Sequence, residues 1–206
     1  MNSAKALLTT VLFLGLAACS TIPETVTYIL PNPPIRDSSQ VPDLSAPGIR
    51  IDTITLAPYL SDQGMVIASE GNRITTTRNH RWGEPMRDGI RRYLSRSLHS
   101  PHFQLVDSKS PVSSTARYAI HLQFDAFHSI EFSHAIAEGT WSLIELGTRE
   151  VVLHESFQFA SNLEIQGYEG IVAAQADLLD QLSRTLLHRI HSSIPIQHPT
   201  HAAQHN

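Results

Sequence analysis

The chain has 206 residues, with 15 Lys and Arg against 19 Asp and Glu and a formal net charge of −4. It lacks the clustered basic surface that would hold nucleic acid or anionic lipid headgroups, and a single cysteine excludes a disulfide framework. The length suits one domain with a tether and a tail, held together by its apolar core.

Lys5, the apolar stretch Ala6 to Leu14 and the small residues of Leu16-Ala17-Ala18-Cys19 form the n-region, h-region and cleavage signature of a secreted precursor. The run is too short to span a bilayer, which takes about 20 apolar residues. A cysteine closing such a box becomes the acylated N-terminus of a bacterial lipoprotein. Each buried methylene of the acyl chains adds about 0.8 kcal/mol, so several chains together hold a protein firmly. Residues 1–18 therefore read as a signal peptide and Cys19 as the lipid attachment site. Ser20 replaces the aspartate that commonly retains such proteins at the inner membrane, which directs the expectation to the outer membrane, facing the periplasm. Loss of Lys5 with the leader leaves the mature chain more acidic still.

Residues 19–48 read as a tether containing one strand. Six of the 12 prolines fall between Pro23 and Pro47, and the strand at 24–30 alternates Val26, Tyr28 and Leu30 with Thr25, Thr27 and Ile29. Asn32 to Pro47 is a semi-extended linker with too few apolar residues to nucleate a core. The domain proper is expected over 49–194. Ile49 to Leu56 is β-rich but changes phase, which predicts a bulge near Asp52. Met65 to Ala68 and Arg73 to Arg78 flank Ser69-Glu70-Gly71-Asn72, where Gly and Asn accept positive φ, so this is a hairpin with a half-exposed second arm. Glu84-Pro85 opens a helix whose apolar stripe is Met86, Ile90, Tyr93, Leu94 and Leu98, and Pro101 ends that stretch.

Phe103 to Val106 is a short strand, and a polar loop follows at 108–115. Tyr118 to Ile130, His134 to Leu146 and Val151 to Leu163 alternate buried and wet positions and are joined by short turns, which predicts an antiparallel meander. Tyr168 to Ile194 closes the domain as a helix with Ile171, Gln175, Leu178, Leu179, Leu182, Leu186 and Ile190 on one side. Residues 195–206 form a polar tail. No internal repeat occurs. The predicted class is α+β: an antiparallel sheet of about five to seven strands, meander plus hairpin, packed against two helices.

Four segments in this order resemble the PqiC-like family of ABC-type transport auxiliary lipoproteins. They are Tyr28-Ile29-Leu30-Pro31, Ile54-Thr55-Leu56-Ala57-Pro58-Tyr59-Leu60, Gly64-Met65-Val66-Ile67, and the most specific, His80-Arg81-Trp82-Gly83-Glu84-Pro85-Met86. The resemblance implies a partner of the mammalian-cell-entry (MCE) class in an ABC lipid transport system. It also implies a docking role at the outer membrane that serves membrane integrity. The alternative is a periplasmic carrier that itself shields a lipid or lipopolysaccharide. A carrier needs an apolar cavity of several hundred Å³, whereas a docking module is filled to ordinary density.

Arg81, Trp82 and Glu84 are candidate partner-binding residues, because Trp and Arg are enriched at binding hot spots. A structural role competes: a tryptophan before a helix staples the entering chain, and a glutamate there gains from the helix dipole. His188 with His191, and the tail group His198, His201 and His205, lack the rigid four-ligand arrangement of a zinc site, so no metal and no cofactor is expected. No nucleophile elbow, zinc-protease helix or phosphate loop occurs. Glu131, Glu138, Glu145 and Glu155 occupy solvated strand positions, and no catalytic residue is predicted. Exposed sheet edges and the arginines of the first helix allow a homo-oligomer.

Overall fold

A computed structural model describes residues 23–33, 46–107 and 110–194. The lipobox with Cys19 and the tail at 195–206 lie outside the described residues. Eight strands form one sheet: β1 (Val26–Tyr28), β2 (Gly48–Leu56), β3 (Gly64–Ser69), β4 (Arg73–Trp82), β5 (Gln104–Leu105), β6 (Ala116–Ile130), β7 (His134–Glu145) and β8 (Val151–Asn162). Two helices, α1 (Met86–Ser97) and α2 (Tyr168–Ser193), carry the apolar stripes read from the sequence. No helix among the described residues is long and apolar enough to cross a membrane.

The sheet is mixed, with four of its seven strand pairings parallel. This corrects the expected antiparallel sheet of five to seven strands. The meander β6–β7–β8 is present as the expected antiparallel ladder, and so is the β3–β4 hairpin, with Gly71 at φ 73° and Asn72 at φ 58° in its turn. The difference lies on the other edge of β6. There β2 runs parallel to Ala116–Phe124, and β3 resumes in the same direction beside Ser129 and Ile130. Ala57 N–H still donates to the Phe124 carbonyl at 2.9 Å. Pro58 then has no N–H to extend the ladder, and the chain steps out through the 3-10 turn Pro58–Leu60 before returning. Alternation marks a strand without fixing its direction. A short connection that looks like a reversal is here a detour along one edge.

The bulge near Asp52 is observed as a register shift between Ile51 and Thr53. Another, between Phe124 and Ala126, was not foreseen. It turns Phe127 to the same side as Phe124, with ring centroids 5.6 Å apart.

Both helices cover one face. α1 buries Met86, Ile90, Tyr93 and Leu94, with Leu98 just past its end; α2 buries Ile171, Leu178, Leu179, Leu182, Leu186 and Ile190, against Ala135, Ala137, Trp141 and Leu143 of β7. Each large side chain so buried contributes about 1.5–3 kcal/mol. Gly139 sits between Phe124 and Phe157 in register, and the two rings meet across it at 5.3 Å. A Cβ at Gly139 would lie 1.9 Å from the Gln123 carbonyl oxygen, so only glycine fits. The opposite face is open and polar: Gln158 donates to Glu138 at 2.9 Å, and Ser142 pairs with His154 at 2.8 Å.

Candidate functional site

The motif His80–Met86 ends β4 and opens α1, and its side chains divide between three environments. Trp82 is in the core, 5% exposed. Its N–H donates to the Gln63 carbonyl at 2.6 Å, and it stands opposite Tyr28 of β1 in parallel register. Gly83 N–H continues that pairing to the Tyr28 carbonyl at 2.7 Å. Arg81 is exposed, its guanidinium donating to Gln63 Oε1 at 3.0 Å.

Glu84 is half-buried and accepts from Arg92 Nη2 at 2.6 Å. The same Arg92 nitrogen reaches the Leu30 carbonyl at 2.8 Å, and its Nη1 donates to Asn32 Oδ1 at 3.0 Å, where Arg96 joins it. Leu30 itself is buried in the core. Arg92 therefore closes a clasp between the head of α1 and the chain that arrives from the lipobox.

The clasp continues along β1 as stacked rings. Tyr28 OH lies 3.2 Å from His80 Nδ1 and donates to Glu169 Oε1 at 3.4 Å. The His80 ring stacks on Tyr168 with centroids 3.5 Å apart. Burial, and then the nearby Glu169 carboxylate, push the Tyr28 phenol above its ordinary pKa.

The segments behind the family resemblance thus converge. β1 lies on β4 through Tyr28 and Trp82, while Leu60, Gly64, Val66, Trp82 and Met86 border one internal cavity of about 10 Å³ together with Phe127 and Gln175. Gln175 also donates to the Phe127 carbonyl, tying α2 to the bulged stretch of β6. Sequence reasoning missed Arg92, Asn32 and Tyr168. Arg92 read as one more polar residue off the helix stripe, and Glu84 stands eight residues before it, outside the three- or four-residue spacing that marks a helical ion pair.

The remaining polar groups are dispersed. His191 accepts or donates at Ser100 Oγ, 2.6 Å away, and packs edge-on to His102. Burial, and then His102 and His188, lower its pKa. Among the described residues no three His, Cys, Asp or Glu gather as a metal-holding group. His198, His201 and His205 fall outside those residues. Tyr59 OH donates to the Asp125 carbonyl at 2.9 Å and lies 3.1 Å from His128 Nδ1, a histidine whose pKa burial lowers. Glu145 and Glu155 pair with Arg117 and Arg189, and Glu131 sits in the β6–β7 turn at φ 50°. A groove of about 570 Å³ opens on the polar face between the β3–β4 turn and the β6–β7 end, bordered by Ile74, Ile130, Ile136 and Glu138.

A mixed sheet has both helices on one face and the strand Val26–Tyr28 paired at its edge. Residues 28–186 match the ABC-type transport auxiliary lipoprotein component family, and the chain belongs to that family. Several solved structures share its fold, among them these two. One is an uncharacterized protein, 18% identical with a TM-score of 0.68, over 82% of this chain and 99% of its own. The other is protein XCC0632 from Xanthomonas campestris, 14% identical with a TM-score of 0.65, over 82% of this chain and all of its own. A search of curated proteins found no similar sequence. The chain is an auxiliary lipoprotein component of an ABC-type transport system.

Proposed function

We propose that this lipoprotein is cleaved before Cys19, held by its acyl chains at the outer membrane facing the periplasm, and docks the far end of a lipid conduit. That conduit would be built by an MCE-class protein of the same transport system. The observation that carries this reading is the family match over 28–186, which takes in all four convergent segments. A lipid crossing an aqueous gap needs a continuous apolar path, and something fastened to the receiving membrane must hold its end.

The packing supports docking over carriage. The cavity beneath Trp82 and Met86 is about 10 Å³, near the volume of one water, and the grooves of about 570 Å³ beside the β3–β4 turn and about 400 Å³ beside Asp88 and Arg91 are open to solvent rather than enclosed as a sequestering site is. The clasp has a matching role: it transmits the pull of the anchor into the core through Leu30, Glu84 and Arg92. Of the three motif residues, Arg81 is the exposed one, and we assign partner contact to it. Trp82 and Glu84 act by holding the chain in place.

The test is copurification and crosslinking of the acylated full-length protein with the periplasmic MCE-class component. Stable association, weakened by Arg81→Glu with thermal stability unchanged, is expected. Failure of the acylated protein to associate with any such component defeats the docking role. Lipid copurifying in stoichiometric amount would favour the carrier.

A further inference from the structure

The strand directions fix where the anchor leaves the domain. β1 is parallel to β4, β4 is antiparallel to β3, and β3 is parallel to β6. The chain before Val26 therefore points toward the end of the sheet that carries the β3–β4 turn, the β6–β7 turn and the start of α2. Seven residues separate Val26 from Cys19, and fully extended they reach at most about 25 Å.

This same end is the apolar one. The described residues include six exposed large apolar side chains, and three of these, Ile74, Phe132 and Ile165, lie here at 39%, 39% and 61% exposure. Val26, 37% exposed, opens the strand that leads to it. Phe132 is held outward by an edge-on contact with Tyr168, 5.4 Å between centroids, and Leu163 N–H donates to the Ser133 carbonyl, which keeps the loop before α2 beside that turn. Away from the tip the exposed set has two members, Val151 at the opposite end and Ile29 past the far end of β1 beside Gly83. Exposed Glu70, Glu131 and Glu164 flank the apolar tip, with Arg73 the cation among them.

We propose that this tip is a membrane-contact surface: Phe132 and Ile165 enter the interface of the bilayer that holds the acyl chains, and the lipid they meet is zwitterionic. Aromatic and aliphatic side chains on a protein already fastened by a short tether need add little binding energy of their own to fix its tilt. The three glutamates disfavour an anionic surface, whose negative potential would repel them. The proposal rests on acylation of Cys19. Its consequence is an orientation: the β7–β8 turn with Val151, and the base of α2, face away from the membrane toward whatever crosses the periplasm.

The experiment uses the acylated full-length chain in phosphatidylcholine vesicles, with Phe132→Cys, Ile165→Cys and Val151→Cys each carrying an environment-sensitive fluorophore. Lipids bearing a quencher near the headgroup should remove most of the emission at 132 and 165 and leave 151 unchanged. Replacing part of the lipid with phosphatidylglycerol should reduce the quenching at 132 and 165. Equal, weak quenching at all three positions overturns the proposal, and protection of 132 only on adding the periplasmic component would assign the tip to a protein partner instead. Mass spectrometry of Cys19 and flotation with the vesicles separate the two levels. An unacylated protein that does not float defeats the anchor, whereas an acylated, floating protein with water-exposed 132 and 165 defeats only the orientation.

Discussion

The two sides of the sheet are held together by different means. β6, β7 and β8 form a ladder between segments adjacent in the chain, and α2 covers them with a continuous apolar stripe. The side containing β1, β3 and β4, with β2 and β5, is assembled from segments distant in sequence, in largely parallel pairings, and is secured by the Glu84–Arg92–Leu30 clasp. Each side has one tryptophan, Trp141 in the ladder and Trp82 at the clasp, both buried. The ladder depends on packing volume. The clasp depends on a few polar links that position the tether, so its failure is local where the ladder's failure is global.

Trp141→Ala is the strongest way to break that comparison. Removing a fully buried aromatic side chain costs about 3–5 kcal/mol, and in the ladder the loss should appear as one cooperative shift of the urea midpoint with unchanged slope. Gly139→Ala should act in the same place by the opposite route, since its Cβ would meet the Gln123 carbonyl rather than leave a void. If Trp141→Ala costs less than Trp82→Ala, the ladder is not the more stable side.

Trp82→Ala comes next, with an expected loss of about 3 kcal/mol and a different signature. Amide exchange should accelerate first in β1 and at Gly83, whose N–H pairs with Tyr28, while β6 and β7 stay protected. Uniform acceleration across both sides would mean that the tether strand and the ladder open as one unit.

What could be read from the sequence follows the same division. The stripes of α1 and α2, the turn at Gly71 and Asn72, and the three long strands are periodic signals carried within single segments, and each is found where it was expected. The parallel direction of β2 and β3 was not readable, because nothing within either segment tells which neighbour it will meet. Nor was the bulge at Asp125, which lets two phases of β6 share one core. At the candidate site the motif was visible, but the sorting of its members was not. That Trp82 turns inward and Arg81 outward depends on Tyr28 and Gln63, residues far from the motif in sequence. Arg92 was hidden because its partners are a glutamate two helical turns away and a backbone carbonyl, which leaves no compositional trace.

Arg92→Met tests the clasp with a smaller effect. The ion pair with Glu84 is partly exposed, at 27% and 29% for the two side chains, and solvent screening holds such pairs to about 1 kcal/mol or less. Global stability should therefore hardly move. Exchange in β1 should rise, and added salt should accelerate it in the parent protein but not in the variant. A variant with parent-like exchange in β1 would show that hydrogen bonds and Leu30 packing alone seat the tether.

The smallest expected effect concerns the junction of the two sides, where Tyr59 from the detour between β2 and β3 meets His128 just past the β6 bulge. Because Tyr59 OH donates to the Asp125 carbonyl, His128 Nδ1–H is the donor to Tyr59. Burial lowers the His128 pKa below its ordinary 6.5, opposed only in part by Glu138. The unfolded chain therefore takes up a proton at this histidine before the native state does. Stability is full above about pH 6.5 and declines as the pH falls toward the folded-state value, the sign that proton linkage requires. His191 is displaced in the same direction and adds to that slope. His128→Gln keeps a side-chain donor for Tyr59 without a titrating group, so urea midpoints measured on either side of pH 6.5 should differ less in the variant than in the parent. An unchanged slope would place the acid sensitivity at His191, at the base of α2 and away from the junction.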